Sequence, residues 1–431
     1  MTVAPHRLGV VEAATAIREG RLSAEALVRS CLERIADREP LVRAWAHLDP
    51  EAAIAAARRA DAAGAGGPLH GVPIAVKDLI DTHDLPTEYG TPIYRGHRPA
   101  WDASCVALAR RAGAIVLGKT VTTEFAYFSP GPTANPHDLS RTPGGSSSGS
   151  AAAVADRMVP IGFGTQTAAS VTRPASFCGL VGYKAGHGQF SLAGIRAFAV
   201  SFDSLGLLAR SVADAQWLRG ALLGVGMPAA APSLARPPRI GVCRTPSWEA
   251  ADADARAALA TAAQRLADAG ADVTEAPAPV GFETLVEVHR TIMACEAAAS
   301  LAFEHDAHAA RLSQPLRQLL DEGRALPRER FLAALEAAQL ARAAFERWAR
   351  GWDALLAPGA PGAAPVGLQA TGDPVFSRMW TLLQGPSVVL PGLRAASGLP
   401  VGVQLVGRMG SDDALLALAR WAEPVIAGRP G

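Results

Sequence analysis

Apolar positions recur with a helical period over residues 8–35, break at Gly20, and resume after Ser23, a residue type suited to an N-cap, so two helices are expected there. The alanine-rich run 50–63 reads as another helix, ended by a turn over 64–68. The period then changes. Pro73-Ile74-Ala75-Val76 is a short apolar strand, 103–112 a helix, and Ala114-Ile115-Val116-Leu117 a second strand, the alternation of βα units around a mainly parallel sheet. It returns with a strand at 239–243, a helix over 252–269 and a strand at 272–275. Two long helical stretches, 282–303 and 329–350, precede apolar strands at 354–356, 387–390 and 401–406 and a closing helix over 412–423. No linker or internal repeat interrupts the chain. The pattern predicts a single large α/β/α domain, 1–431, with a central mixed, mainly parallel sheet flanked by helices and an N-terminal helical segment, 8–63, packing on the core.

Composition narrows the function classes. The 431 residues are 49% hydrophobic and 19% charged, and 41 Lys+Arg against 40 Asp+Glu give a net charge of +1. That balance supplies no basic footprint for nucleic acid or an anionic membrane surface. The first residues lack a signal-peptide core, and no apolar run reaches ~18 residues, so a cytoplasmic protein is expected. Five cysteines without close pairs suggest buried hydrophobes rather than a disulfide framework or a zinc site. The ten histidines form no HxH or HExxH pattern, which gives no support to a metal hydrolase.

Lysine is the informative residue. It occurs only at Lys77, Lys119 and Lys184, the other 38 of the 41 basic residues being arginine. Lysine can be neutralised by burial and arginine cannot, so each lysine is a candidate for chemistry that arginine cannot perform. Residues 113–120 match G-x-x-x-x-G-K-T, yet their strand-forming interior would spend the backbone N–H groups on sheet neighbours, and a nucleotide site is rejected. Lys184 is read as structural. Lys77, at the end of the first strand and followed by Asp78, is well placed to be buried. The tract 142–150, rich in Gly and Ser, runs into an alanine-rich helix, and a second small-residue run over 164–174 has Ser170 at its centre. A serine needs a base to become a nucleophile, and a neutral lysine can serve.

These residues carry a resemblance. Lys77-Asp78, the 144–150 loop and Ser170, with GVPIAVKD, RAGAIVLGKT, PGGSSSGSAAAVA, FCGLVGYK and SGLPVGVQLVGR in order across roughly 8–418, resemble the amidase signature family of amide hydrolases. Within it, PTEYGTPIYRG at 86–96, GTQT at 164–167 and TGDPVFSRMWTLLQGP at 371–386 are most similar to malonamidases. The resemblance implies a Ser-Ser-Lys triad that needs no histidine, metal or cofactor: Ser170 as nucleophile, Ser146 in a cis peptide as proton relay, and neutral Lys77 as base. Lys77 must then fall ~3 units below ~10.4. It also implies an oxyanion hole built from the backbone N–H groups of Thr167, Ala168, Ala169 and Ser170. Alanines 168 and 169 stand where the family commonly has glycines, and alanine is strained if either position needs positive φ. Gln166 stands where many members carry aspartate, and Arg173, three residues past the nucleophile, is the expected clamp for a substrate carboxylate. Its alternative is a structural pair with a carboxylate of the protein. Phe376 and Trp380 read as core by residue type and are moved toward the pocket by the resemblance.

The expected function is hydrolysis of a small carboxylate-bearing amide such as malonamate, through an acyl-enzyme and with release of ammonia. The expected partner is that small molecule, with no nucleic acid or membrane and with room for a homodimer. The alternatives are a catalytically impaired amidase-like binding protein and an ammonia-transferring amidotransferase subunit.

Overall fold

Short aliphatic runs supply the frame of the computed structural model, which describes residues 3–64, 66–226 and 234–428. The strands are β1 (Trp45–Leu48), β2 (Pro73–Lys77), β3 (Ile115–Thr120), β4 (Ile161–Gln166), β5 (Val181–Lys184), β6 (Ser204–Ala209), β7 (Arg239–Val242), β8 (Asp272–Glu275), β9 (Ala354–Pro358), β10 (Ser387–Arg394) and β11 (Pro400–Val406). They form one 11-stranded sheet in the order β1-β3-β2-β4-β6-β5-β10-β11-β9-β7-β8. Helices flank it, and the α/β/α architecture is as expected.

The expectation of a mainly parallel sheet is corrected. Parallel pairing is confined to β2 with β3 and β4, and to β7 with β8 and β9. The other neighbours, β1–β3, β4–β6, β6–β5, β5–β10, β10–β11 and β11–β9, run antiparallel. Part of the difference lies with β1 and with the run β10–β11–β9, whose apolar pattern does not encode the direction of pairing, and part with β4, β5 and β6, whose interior glycines blur the strand pattern. Those glycines are set by packing. A Cβ on Gly182 would lie 2.4 Å from the Ala175 Cβ, and one on Gly206 2.4 Å from Val171 Cγ2, so the helix Thr172–Cys178 can approach the sheet only where side chains are missing.

The N-terminal segment matches its pattern in part. Helices Val10–Arg18 and Ala24–Val42 are separated near Gly20, Ser23 Oγ accepts from Ala26 N at 3.0 Å, and Pro50–Ala63 is helical. Strand β1 lies between the second and third of these helices, and its four residues are too few to show a period. Val10, Leu27, Val28, Ala53 and Ala57 are buried in the main core with the sheet. Ala65, inside the expected 64–68 turn, and Met1 and Thr2 lie outside the described residues. A second core joins helices Leu285–Ser300, Gln314–Ala325, Arg328–Trp348 and Val375–Leu382. Cys31, Cys105, Cys178 and Cys243 are buried and Cys295 half-buried, all as free thiols. Among the described residues no helix is long and apolar enough to cross a membrane.

Candidate active site

Lys77 is the last residue of β2, where that strand lies between β3 and β4. Its side chain is fully buried, and Nζ lies 2.7 Å from Ser146 Oγ and 2.8 Å from Thr165 Oγ1, the latter at the corresponding end of β4. Both contacts are hydroxyls, which can accept from an ammonium or donate to a neutral amine. Burial pushes the Lys77 amine down to about 7, against the opposing field of Asp203. Asp203 is itself buried and raised to about 6 by desolvation, while the Thr167 hydroxyl and the Phe198 and Ala199 N–H groups favour its charged form.

The tract 142–150 is a fixed loop rather than a linker. The Gly145–Ser146 peptide is cis, and the helix Ser148–Ala155 begins two residues after Ser146. That helix start presses on the chain entering and leaving the sheet: a Cβ on Gly149 would lie 2.2 Å from Ala44 O and 2.4 Å from Val121 N. Ser170 stands just before the helix Thr172–Cys178, and Ser147 N donates to Ser170 O at 3.3 Å, joining the two serine loops. Ser146 and Ser170 line one cavity with Thr167, Ala168, Ala169, Arg173 and Arg378.

The loop between β4 and Ser170 is held by its carbonyls. Thr167 O accepts from His289 Nε2 at 2.8 Å, Ala168 O from Thr381 Oγ1 at 2.7 Å, and Ala169 O from Arg173 N at 3.0 Å. Across a trans peptide the C=O and the following N–H point in opposite directions. Anchoring these carbonyls in the protein therefore turns the N–H groups of Ala168, Ala169 and Ser170 the other way, and none of the three donates to a backbone carbonyl. Gln166 fastens the base of the loop: its Oε1 accepts from Val171 N and Thr172 N at 2.9 and 3.0 Å, and its Nε2 donates to Thr381 Oγ1 at 3.0 Å. An aspartate has no N–H to make the last bond. Neither Ala168 nor Ala169 has a positive φ, so the strain considered for alanine at these positions does not arise.

Arg173 is buried and reaches the cavity, but most of its donors are already engaged. Nη1 donates to Gly372 O at 2.6 Å, and Nη2 to Gly145 O at 2.7 Å and Thr371 Oγ1 at 2.8 Å, leaving Nε without an acceptor. These partners are neutral, so the alternative of a carboxylate pair is not what the structure has. Desolvation first, then the neighbouring Arg378, lowers Arg173 to about 9. Thr165, Thr371, Asp203 and Arg378 were not singled out by sequence. Thr165 lies inside the GTQT motif and Arg378 inside 371–386, so the motifs marked the segments but not which side chain points inward.

Other candidates separate from the cavity. Lys119 lies 3.0 Å from Asp78 and also bonds Thr87 and Pro86 O, consistent with a structural lysine in β3. Lys184 is buried against Ala185 O at 2.8 Å. Phe376 and Trp380 are core residues, packed beside Ala251 and Ala255 and beside Phe345 respectively. His83, Asp84 and Asp102 lie close enough together to share a cation, but Arg110 already bridges Asp84 and Asp102 at 2.6 and 3.0 Å.

The amidase family model matches residues 26–416. A glutamyl-tRNA(Gln) amidotransferase subunit from Acidothermus cellulolyticus is 35% identical, over 99% of this chain and 95% of that protein. Among solved structures, one described as an amidase superposes with a TM-score of 0.88 at 32% identity, covering 96% of this chain and 99% of the other. The native peptide amidase from Stenotrophomonas maltophilia gives 0.81 at 28% identity, covering 98% of each chain. The narrower likeness to malonamidases rests on the motifs.

Proposed function

We propose that this chain, which belongs to the amidase family, hydrolyses a small amide carrying a carboxylate, malonamate being the leading candidate. The carrying observation is the contact of Lys77 Nζ with Ser146 Oγ at 2.7 Å, in a fully buried position where no carboxylate touches the amine. Neutral Lys77 takes the Ser146 proton as Ser146 takes that of Ser170, and Ser170 Oγ attacks the amide carbonyl. The anionic oxygen is met by the N–H groups turned outward at Ala168, Ala169 and Ser170, each worth about 3 kcal/mol in such a role. The proton returns through Ser146 to the leaving nitrogen, the C–N bond breaks, and ammonia departs. Water then attacks the Ser170 ester by the same relay and releases the acid.

The similarity to an amidotransferase subunit favours a second reading, in which the same chemistry takes ammonia from an amide donor and passes it to a partner-bound acceptor. If glutamine were that donor, its α-ammonium would want an acidic partner, and the residues lining the cavity include two arginines and no carboxylate. That favours the acid amide. The impaired-protein reading loses its motive with the ordinary backbone at Ala168 and Ala169.

Ammonia release by the purified chain separates the readings. Malonamate is expected to be turned over faster than glutamine at equal concentration. Glutamine turnover that exceeds malonamate turnover, or that rises when an acceptor-bearing partner is supplied, supports the amidotransferase; failure of a fluorophosphonate to label Ser170 supports the impaired protein.

A further inference from the structure

We propose that Arg378 is the specificity-determining cation of the pocket and receives the substrate carboxylate, a role that deepens the hydrolase reading above and rests on it. Arg378 is carried by the helix Val375–Leu382 and lines the cavity shared by Ser146 and Ser170. Its Nη1 is buried and meets no hydrogen-bond acceptor. The charges that act on it are Asp373, Glu287, Arg290 and the Tyr127 hydroxyl, with desolvation the largest influence, and together they leave it below the usual guanidinium range. Asp373 is exposed and bonds Val375 N at 2.9 Å, and Arg290 is paired with Glu322 at 2.9 Å.

The contrast with Arg173 assigns the roles. Arg173 spends its two terminal nitrogens on Gly145 O, Thr371 and Gly372 O, and so stiffens the loop that presents Ser146. Arg378 lines the same cavity and has a buried terminal nitrogen, Nη1, left without an acceptor. A guanidinium taken out of water without a counter-ion is costly, and a carboxylate relieves that cost through two parallel charge-assisted bonds. With acyl-carbonyl donors at 168–170 and a cation lining the same cavity, the site fits a short acid amide held by both ends. Arg378 is thus a binding residue for the acid end, and Arg173 a positioning residue for the serine loop.

The test compares wild type, Arg378→Met and Arg378→Lys, each checked for folding by thermal unfolding, on malonamate and on propionamide, with malonate as a probe that binds without turnover. The ratio of kcat/KM for malonamate over propionamide is expected to fall ~30-fold or more in Arg378→Met, mostly through KM, and to recover in part in Arg378→Lys. Malonate is expected to raise the melting temperature of wild type and to lose that effect in Arg378→Met. A ratio and a malonate shift unchanged in Arg378→Met overturn the role of Arg378 while leaving the acid-amide reading in place. A wild type that neither prefers malonamate nor responds to malonate overturns that reading and this one with it. Should Arg378→Met fail to fold, Arg378→Lys decides: an unchanged ratio and malonate shift despite the lost bidentate fork count against the proposal.

Discussion

Lys77 and Lys119 sit on adjacent parallel strands, both fully buried, and differ in what meets the amine. The register pairs Lys77 with Thr120 and Val76 with Lys119, so the two side chains leave opposite faces of the sheet. On one face Lys119 finds Asp78 at 3.0 Å, which opposes the downward push of burial on its amine. On the other Lys77 finds two hydroxyls and no carboxylate in contact, and desolvation brings it to about 7. Burial alone does not make a base: the absence of a touching counter-ion turns one buried lysine toward proton transfer, and the presence of one keeps its neighbour as a strut.

The largest effects should separate the two lysines. Lys77→Ala and Ser170→Ala are each expected to cut acylation by ~10⁴-fold or more, with Ser146→Ala somewhat milder because water can replace a relay hydroxyl. Since the three act as one unit, combining Ser146→Ala with Lys77→Ala should cost little beyond Lys77→Ala, as single-turnover acylation would read; fully multiplicative losses would count against a shared relay. Lys119→Met is expected to act on stability, by about 3–5 kcal/mol in urea unfolding, because it strands the buried Asp78 carboxylate. A Lys119→Met protein that unfolds like wild type but has lost its activity would dissolve the distinction.

Arg173→Leu is expected to lower kcat/KM by roughly 30- to 1000-fold, about 2–4 kcal/mol, on acid and neutral amides alike, since it frees the Gly145 carbonyl and with it the Ser146 loop. A loss confined to the acid amide would return the carboxylate grip to Arg173. The smallest effects belong to Ala168→Gly and Ala169→Gly. With neither residue at positive φ, glycine relieves no strain and adds loop freedom worth about 0.5–1 kcal/mol, so kcat should fall a few-fold rather than rise.

The lysines, the serine loops and most long apolar elements were legible in the sequence because each rests on local pattern: a scarce residue type at a strand end, small residues before a helix, a helical period. The direction of strand pairing was less so. Strands β5 and β6 carry glycines that answer to Ala175 and Val171, in and just before the helix Thr172–Cys178, and Gly164 of β4 answers to Ser147, contacts that only the folded chain reveals. Arg173 and Arg378 show the same limit in the site. Both are arginines in motif segments, and only the partners brought from distant positions, Gly145, Thr371 and Gly372 for one and none for the other's Nη1, tell them apart.

The pH dependence of Ser170 labelling by a fluorophosphonate tests the central claim most directly, because it reads nucleophile activation without a substrate. The relay needs Lys77 neutral, so the inactivation rate should rise with pH, through one inflection near the value of about 7 to which burial brings that amine, and level off above it. A rate still climbing toward the ordinary lysine range of ~10.4, or one flat from about pH 5 to ~9, would mean that Lys77 is not the base.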